Sequence, residues 1–131
     1  MSRVAWGAYD MGFSDLAALM EFHANNPDAP NKPVAVMMLH NNTPAAVLTL
    51  KKSGIKTIAD IKAKRASVGS AGSSTESIAD RMLMAAGVDP MTEVTRDNLG
   101  VAESAGAIKD GKVDVFFWIG GVPTPAVKDL V

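Results

Sequence analysis

The order of elements predicts an α/β fold, a three-layer arrangement around a mainly parallel (mixed) sheet. Three observations carry that expectation. From Arg65 onward the chain reads strand, helix, strand, helix, strand, with helices of about ten to thirteen residues, long enough to cross between parallel neighbours. A glycine- and serine-rich turn closes the first of these strands and opens a capped amphipathic helix. The run VDVFFWI at 113–119 is the most strand-like stretch of the chain.

Taken in order, residues 4–7 read as the end of a strand, and residues 8–12, with Tyr9 and Asp10, as the loop after it. Ser14 caps a helix bearing Leu16, Leu19, Met20 and Phe22, which stops at Asn25, Asn26 and Pro27. PVAVMML at 33–39 is a continuous apolar run, the pattern of a central strand covered on both faces. His40, Asn41, Asn42, Thr43 and Pro44 break it, and residues 45–50 resume as a second strand. Thr57 with Asp60 three residues on opens a short helix with Ile58 and Ile61 inward. A strand is expected over 93–99 and a helix over 102–109 with Ala105 and Ile108 inward. Asp110 and Gly111 stop that helix, and a last short helix follows Pro123 and Pro125.

The stretch RASVGSAGSSTESIADRMLMAAG, 65–87, organises the rest. Its strand ends at Gly69, and Ser70, Ala71 and Gly72 permit a sharp turn. Ser73 and Glu76 fit a capping box in which the hydroxyl takes a first-turn amide and the glutamate reaches back to the N–H of Ser73. Ile78, Ala79, Met82, Leu83, Ala85 and Ala86 recur at helical spacing, and Gly87 closes the helix. Free amides and the positive end of the helix dipole converge on this turn beside the hydroxyls of Ser73, Ser74 and Thr75, an arrangement suited to carboxylate, sulfonate or phosphate. An ordinary turn capped by its own serines is the competing reading. A nucleotide P-loop lacks its Gly-Lys-Ser/Thr ending here, and Val68 stands where a nucleophile elbow needs glycine.

In a parallel sheet ligands sit at the carboxyl ends of the strands. Three loops meet that condition: residues 70–75, the region after Leu99, and Gly120 with Gly121. Trp118, just before those glycines, is either core or a wall of the cleft. Tyr9 and Asp10 are further ligand candidates by their place in a loop after a strand.

Composition narrows the function classes. At 131 residues and 47% hydrophobic the chain suffices for one domain with a core, and it has no apolar run of the ~18 residues that a membrane span needs. Thirteen basic and fourteen acidic residues without long runs leave no nucleic-acid footprint. With no cysteine, thiolate metal sites, disulfides and a cysteine nucleophile are excluded. His23 and His40 lie in different elements without a partner at metal-ligand spacing, so no metal, cofactor or catalytic residue is expected. Met1, Ser2 and Arg3 lead directly into strand-like residues without an apolar export signal, so the residues alone suggest a chain that stays inside or is an internal piece of something longer.

Two resemblances follow from these residues. VGSAGSSTESIADRMLMAAG followed by NLGVAESAGAIKDGKVDVFFWIGGVPTPAV resembles the TAXI subfamily of TRAP-transporter receptors, the G-S-x-G-S-S-T-E loop pairing with F-F-W-I-G-G-x-P-T-P. VAWGAYDMGFSDLAALMEFHANNPDAPNKPVAVMMLHNNTPAAVLTLKKSGIKTIADIKAK resembles the binding proteins of ABC importers for nitrate, sulfonates and thiamine precursors. Both groups share the type II periplasmic-binding-protein fold, two α/β lobes joined by crossover strands. The resemblance implies one lobe and part of the other: residues 1–44 the tail of the first lobe, 45–119 the second lobe bounded by crossover strands, and 120–131 the start of a return segment. It implies a non-catalytic, periplasmic receptor for a small organic anion, carboxylate or sulfonate, that works with the permease subunits of a bacterial importer. The ligand-binding loop falls on Ser70, Gly72, Ser73, Ser74 and Thr75, with hinge-side contacts at Asn41, Asn42, Thr43, Trp118, Gly120 and Gly121. Two other readings stand beside it. One is a small α/β enzyme that uses Tyr9, Asp10 or a histidine on an anionic substrate. The other is a scaffold that binds nothing and forms a homodimer through an exposed sheet edge.

Overall fold

The computed structural model describes residues 2–14, 16–38, 43–121 and 123–130. The chain divides into two units, residues 1–41 and 42–131.

In the second unit, β1 (Ala45–Thr49), β2 (Arg65–Ser67), β3 (Thr95–Asp97) and β4 (Val115–Ile119) form one sheet in the order β1-β4-β2-β3. β2 runs parallel to both β3 and β4, and β1 pairs antiparallel with β4, Ala45 opposite Ile119. The helices α3 (Ser74–Ala85) and α4 (Val101–Lys109) connect the parallel strands, and α5 (Pro125–Lys128) follows β4. The expected β-α-β-α-β order from Arg65 is therefore the observed one.

The central strand shows how the layers arise. Side chains alternate across a strand, so Val115 and Phe117 of β4 enter one apolar cluster while Phe116 and Trp118 enter the other. The first cluster joins them to Ala79 and Leu83 of α3 and to Ile61, Ala66 and Val68. The second collects Ile108 of α4, Val113, and Val127 and Leu130 at the end of the chain. Helix α3 ends as the sequence demands: Gly87 takes a left-handed conformation, its amide meets Met84 O at 3.0 Å, and Val88 N reaches Leu83 O at 3.0 Å. Val88 is then drawn into the core beside Leu83.

Two short elements differ in extent from the sequence reading. The turn opened by Thr57 is a single 3-10 turn over Ile58–Ile61, with Asp60 Oδ2 accepting from the amides of Lys56 and Thr57 at 2.9 and 2.7 Å. Strand β3 spans three residues rather than seven because Asp89 and Glu93 close a turn before it, Glu93 N donating to Asp89 O and Asp89 N to Glu93 Oε2, both at 3.0 Å.

The first unit departs further. Residues 4–7, expected to end a strand, belong instead to a short helix and its exit, α1 (Ser2–Ala5). The cause is local hydrogen bonding: Gly7 N meets Val4 O at 3.1 Å and Ala8 N meets Arg3 O at 2.8 Å, so the turn satisfies itself and needs no neighbouring strand. Helix α2 (Leu16–Asn25) appears where expected, and Asn26 closes it by donating both its backbone and side-chain N–H to Phe22 O at 3.0 and 2.9 Å. The proposed cap at Ser14 adjoins Asp15, which lies outside the described residues. The central strand expected over 33–39 is not formed in its described part, where residues 33–38 carry no strand and Val34, Val36, Met37 and Met38 are exposed. An apolar run becomes a strand only when a partner supplies its ladder of hydrogen bonds, and none of the described strands pairs with this run. No helix among the described residues is long and apolar enough to cross a membrane.

Candidate functional site

At the carboxyl ends of the parallel strands the second unit holds a hollow of about 100 Å³, lined by Gly69, Ser70, Ser73, Thr75, Leu99, Gly100, Val101, Phe117 and Trp118. One water needs only ~10–15 Å³ of such volume, so several waters or a small polar group fit. Two helices begin at its wall: α3 brings Ser73 and Thr75, and α4 brings Gly100 and Val101. Each helix start leaves first-turn amides without an intrahelical acceptor. The amides of Ser70, Thr75 and Val101, three lining residues, have no acceptor among the described residues. Two positive dipole ends thus open on one space, whose remaining walls are apolar and which contains no ionisable side chain. Such a site favours an anion, held by amides and hydroxyls rather than by a cation.

The local sequence explains how the turn is shaped. Gly69 has φ +95°, and a Cβ there would lie 2.7 Å from Thr75 Cβ, so neither the backbone nor the space accepts a side chain. Ser73 caps α3, its hydroxyl accepting from Glu76 N at 3.3 Å, as expected. The other half of the capping box differs from expectation: Ser73 N donates to Ser70 O at 3.0 Å, and Glu76 Oε2 instead accepts from Gly72 N at 2.7 Å. The tight 70–73 turn occupies the cap's own amide, so the carboxylate moves one residue up the chain. Gly72 is consequently a fixing point of the turn rather than a free donor.

Behind the turn, Glu76 Oε1 accepts from Arg96 Nη2 at 2.9 Å and from Asn98 Nδ2 at 2.8 Å. Asn98 Nδ2 also donates to Gly69 O at 3.0 Å, tying the end of β2 to the end of β3. Arg96 Nη1 lies 3.1 Å from Asp80 Oδ1, an ion pair without hydrogen-bond alignment. Burial pushes the Asp80 carboxyl above its ordinary range, Arg96 opposing and the nearby Glu76 reinforcing the shift. The α4 side is set by two buried hydroxyls, Ser67 Oγ and Ser104 Oγ 2.8 Å apart, with Ser104 also bonding Gly100 O at 2.8 Å. Glu103 Oε2 accepts from Gly100 N at 2.7 Å, a carboxylate clamp like that of Glu76.

Of the residues singled out from the sequence, Ser70, Ser73, Thr75 and Trp118 meet at the hollow. Gly72 lies in the same turn and Ser74 opens α3, but neither is on the wall. Gly120 and Gly121 support Trp118: a Cβ on Gly120 would lie 2.3 Å from the indole, and Trp118 Nε1 donates at 2.9 Å to Thr124 Oγ1, which donates to Gly121 O at 2.7 Å. Thr43 is exposed just before β1, while Asn41, Asn42 and His40 lie outside the described residues. Tyr9 and Asp10 are exposed in the first unit, where Arg3 Nη1 donates to the Tyr9 hydroxyl at 3.1 Å. His23 sits on α2 with Nε2 2.8 Å from Pro33 O. Among the described residues no three His, Cys, Asp or Glu side chains form a metal-binding group. Sequence reasoning named the region after Leu99, where Gly100 and Val101 line the hollow, but missed the Arg96 and Asn98 supports. The repeated spacing, Ser73-x-x-Glu76 and Gly100-x-x-Glu103, was the available signal for a second helix start.

Residues 3–131 match the NMT1-like family. The chain belongs to that family. Among solved structures, this NMT1-like chain is similar to the periplasmic aliphatic sulphonate binding protein SsuA from Escherichia coli, with a TM-score of 0.52 and 30% identity, covering 56% of this chain and 23% of that one. It is also similar to the alkanesulfonate-binding protein SsuA from Xanthomonas axonopodis pv. citri bound to MOPS, with a TM-score of 0.50 and 32% identity, covering 55% of this chain and 24% of that one. The matched portion therefore carries the periplasmic-binding-protein fold, and both similar proteins are binding proteins rather than enzymes. The NMT1-like chain spans less than a quarter of the length of each.

Proposed function

We propose that this chain is a solute-binding receptor, or a portion of one, for a small organic anion that it passes to the permease subunits of a bacterial importer, in the periplasm. The observation that carries the reading is the convergence of two helix N-termini on one uncharged hollow at the carboxyl ends of β2, β3 and β4. Family membership and similarity to sulphonate-binding proteins support it, and they favour an ABC-type importer over a TRAP system. A carboxylate or sulfonate head meets the amides of Thr75 and Val101 and the hydroxyls of Ser70, Ser73 and Thr75, while Phe117, Trp118 and Leu99 contact its apolar part. In this reading residues 45–119 form the second lobe with β1 and β4 as crossover strands, residues 1–44 come from the first lobe, and 120–131 begin the return.

Calorimetric titration with ethanesulfonate and propionate tests the proposal. Saturable binding of intact anion is expected, weakened about tenfold by Ser70→Ala combined with Thr75→Val, two changes that leave the helix cap in place. Absence of binding, or turnover of either compound, overturns it.

A further inference from the structure

We propose that Arg96 is a positioning residue for the anion cradle: acting through Glu76, it holds the 70–73 turn in shape and, resting here on the anion-binding reading above, cancels the negative charge that the turn's own clamp brings to the site. Glu76 fixes the turn by accepting from Gly72 N at 2.7 Å. That same carboxylate occupies the first turn of α3, where an incoming anion seeks the same dipole end. Two negative charges at one helix start repel unless one is neutralised.

Arg96 supplies the neutralising charge from a different element. Its side chain is only 15% exposed; Nη2 donates to Glu76 at 2.9 Å, while Nη1 donates to Met91 Sδ at 2.8 Å and lies 3.1 Å from Asp80 as an ion pair. Glu76 and Asp80 lie one helical turn apart on one face of α3, so one guanidinium sits within ion-pair distance of both carboxylates while hydrogen bonding only Glu76. Asn98, two residues beyond Arg96 and therefore on the same side of the extended chain, completes the clamp on Glu76 and on Gly69 O. The chain of contacts from Arg96 through Glu76 to Gly72 N joins β3 to the turn without entering the hollow itself.

The test pairs amide hydrogen exchange with titration of ethanesulfonate on the whole chain. In Arg96→Met the Gly72 amide is expected to exchange about tenfold faster relative to the core amide of Phe117. An unchanged ratio overturns the positioning role. Glu76→Gln keeps an acceptor for Gly72 but removes its charge, so ethanesulfonate should bind about threefold tighter, the scale of one partly screened charge a few ångströms away. Unchanged or weaker binding overturns the charge role. Arg96→Met should weaken binding about tenfold, and Glu76→Gln with Asp80→Asn in that background should restore it to within about threefold of wild type. A loss that persists in this uncharged cluster means that shape rather than charge is at work, and overturns the charge role. Should Arg96→Met fail to fold, Arg96→Gln, read by the same exchange ratio and the same titration, decides both roles. If the wild-type chain binds no ethanesulfonate, the anion reading falls, and the exchange ratio at Gly72 independently decides whether Arg96 positions the turn.

Discussion

The two units of this chain spend similar apolar residues to opposite effect. In the second, Phe116 is fully buried in β4, whereas in the first Phe13 is 93% exposed. Both residues are equally hydrophobic, so the difference lies in periodicity and partners. Strand β4 has neighbours on both edges and helices on both faces, and its alternating side chains feed two clusters. The first unit buries only Ala5 and Ala29 among its described apolar residues, and its one long helix has no buried residue. Hydrophobic pattern is therefore a demand for burial, and the sheet is what meets it.

The contrast can be broken most directly at Phe116. Phe116→Ala should cost about 3 to 5 kcal/mol, read as a fall in the urea midpoint, because it empties a packed site between sheet and helix. Gly69→Ala should come next, at roughly 2 to 4 kcal/mol, since it combines a left-handed backbone with a collision against Thr75. Binding should be lost along with stability in this variant, because the residue lines the hollow. Gly120→Ala is milder, about 1 to 2 kcal/mol, because the obstructing Trp118 ring can turn aside. Its fluorescence should redden as the indole leaves Thr124.

Acid tests how the second unit is tied together. Hydrogen bonding from Arg65 holds the Asp97 carboxyl below its ordinary range, and the Lys62 ion pair does the same for Glu93. Backbone amides lower Asp60 and Asp89. A carboxyl lowered on folding binds fewer protons in the folded state, so its contribution is present above the unfolded pKa and is lost as pH falls through the folded one. Asp80 is raised by burial and acts in the opposite sense, its folded form gaining as pH falls. The four lowered groups should make thermal stability decline below about pH 4, with Asp80 opposing them. Asp80→Asn should steepen that decline by removing the opposing group. A melting temperature flat from pH 6 to 3 would contradict this account.

What the sequence made legible follows the same division. The order of strands and helices from Arg65, the Ser73 cap and the Gly87 ending rest on local rules, and all could be read from neighbouring letters. Residues 33–38 could not, because the same apolar run is a strand or an exposed segment depending on a partner elsewhere. Arg96 and Asn98 escaped for a related reason: they act on Glu76 across about twenty residues, and no spacing rule links a strand arginine to a helix carboxylate. The displaced capping box is subtler, since Ser70 takes the Ser73 amide that the motif reserves for glutamate.

The smallest expected effect sharpens the comparison most. Val36 is 92% exposed in an apolar run that would have been core had a sheet received it. Substitution at a position that buries nothing changes folding free energy by no more than about 0.5 kcal/mol. Val36→Asp should therefore leave the urea midpoint within error, while raising solubility by interrupting an apolar surface. Val115→Asp, the same change in β4, buries an unpaired carboxylate among Phe117, Leu83 and Ile61 and should abolish folding. Were the two variants to lose stability equally, the run at 33–38 would have to be packed in solution, and the distinction drawn between the units would fail.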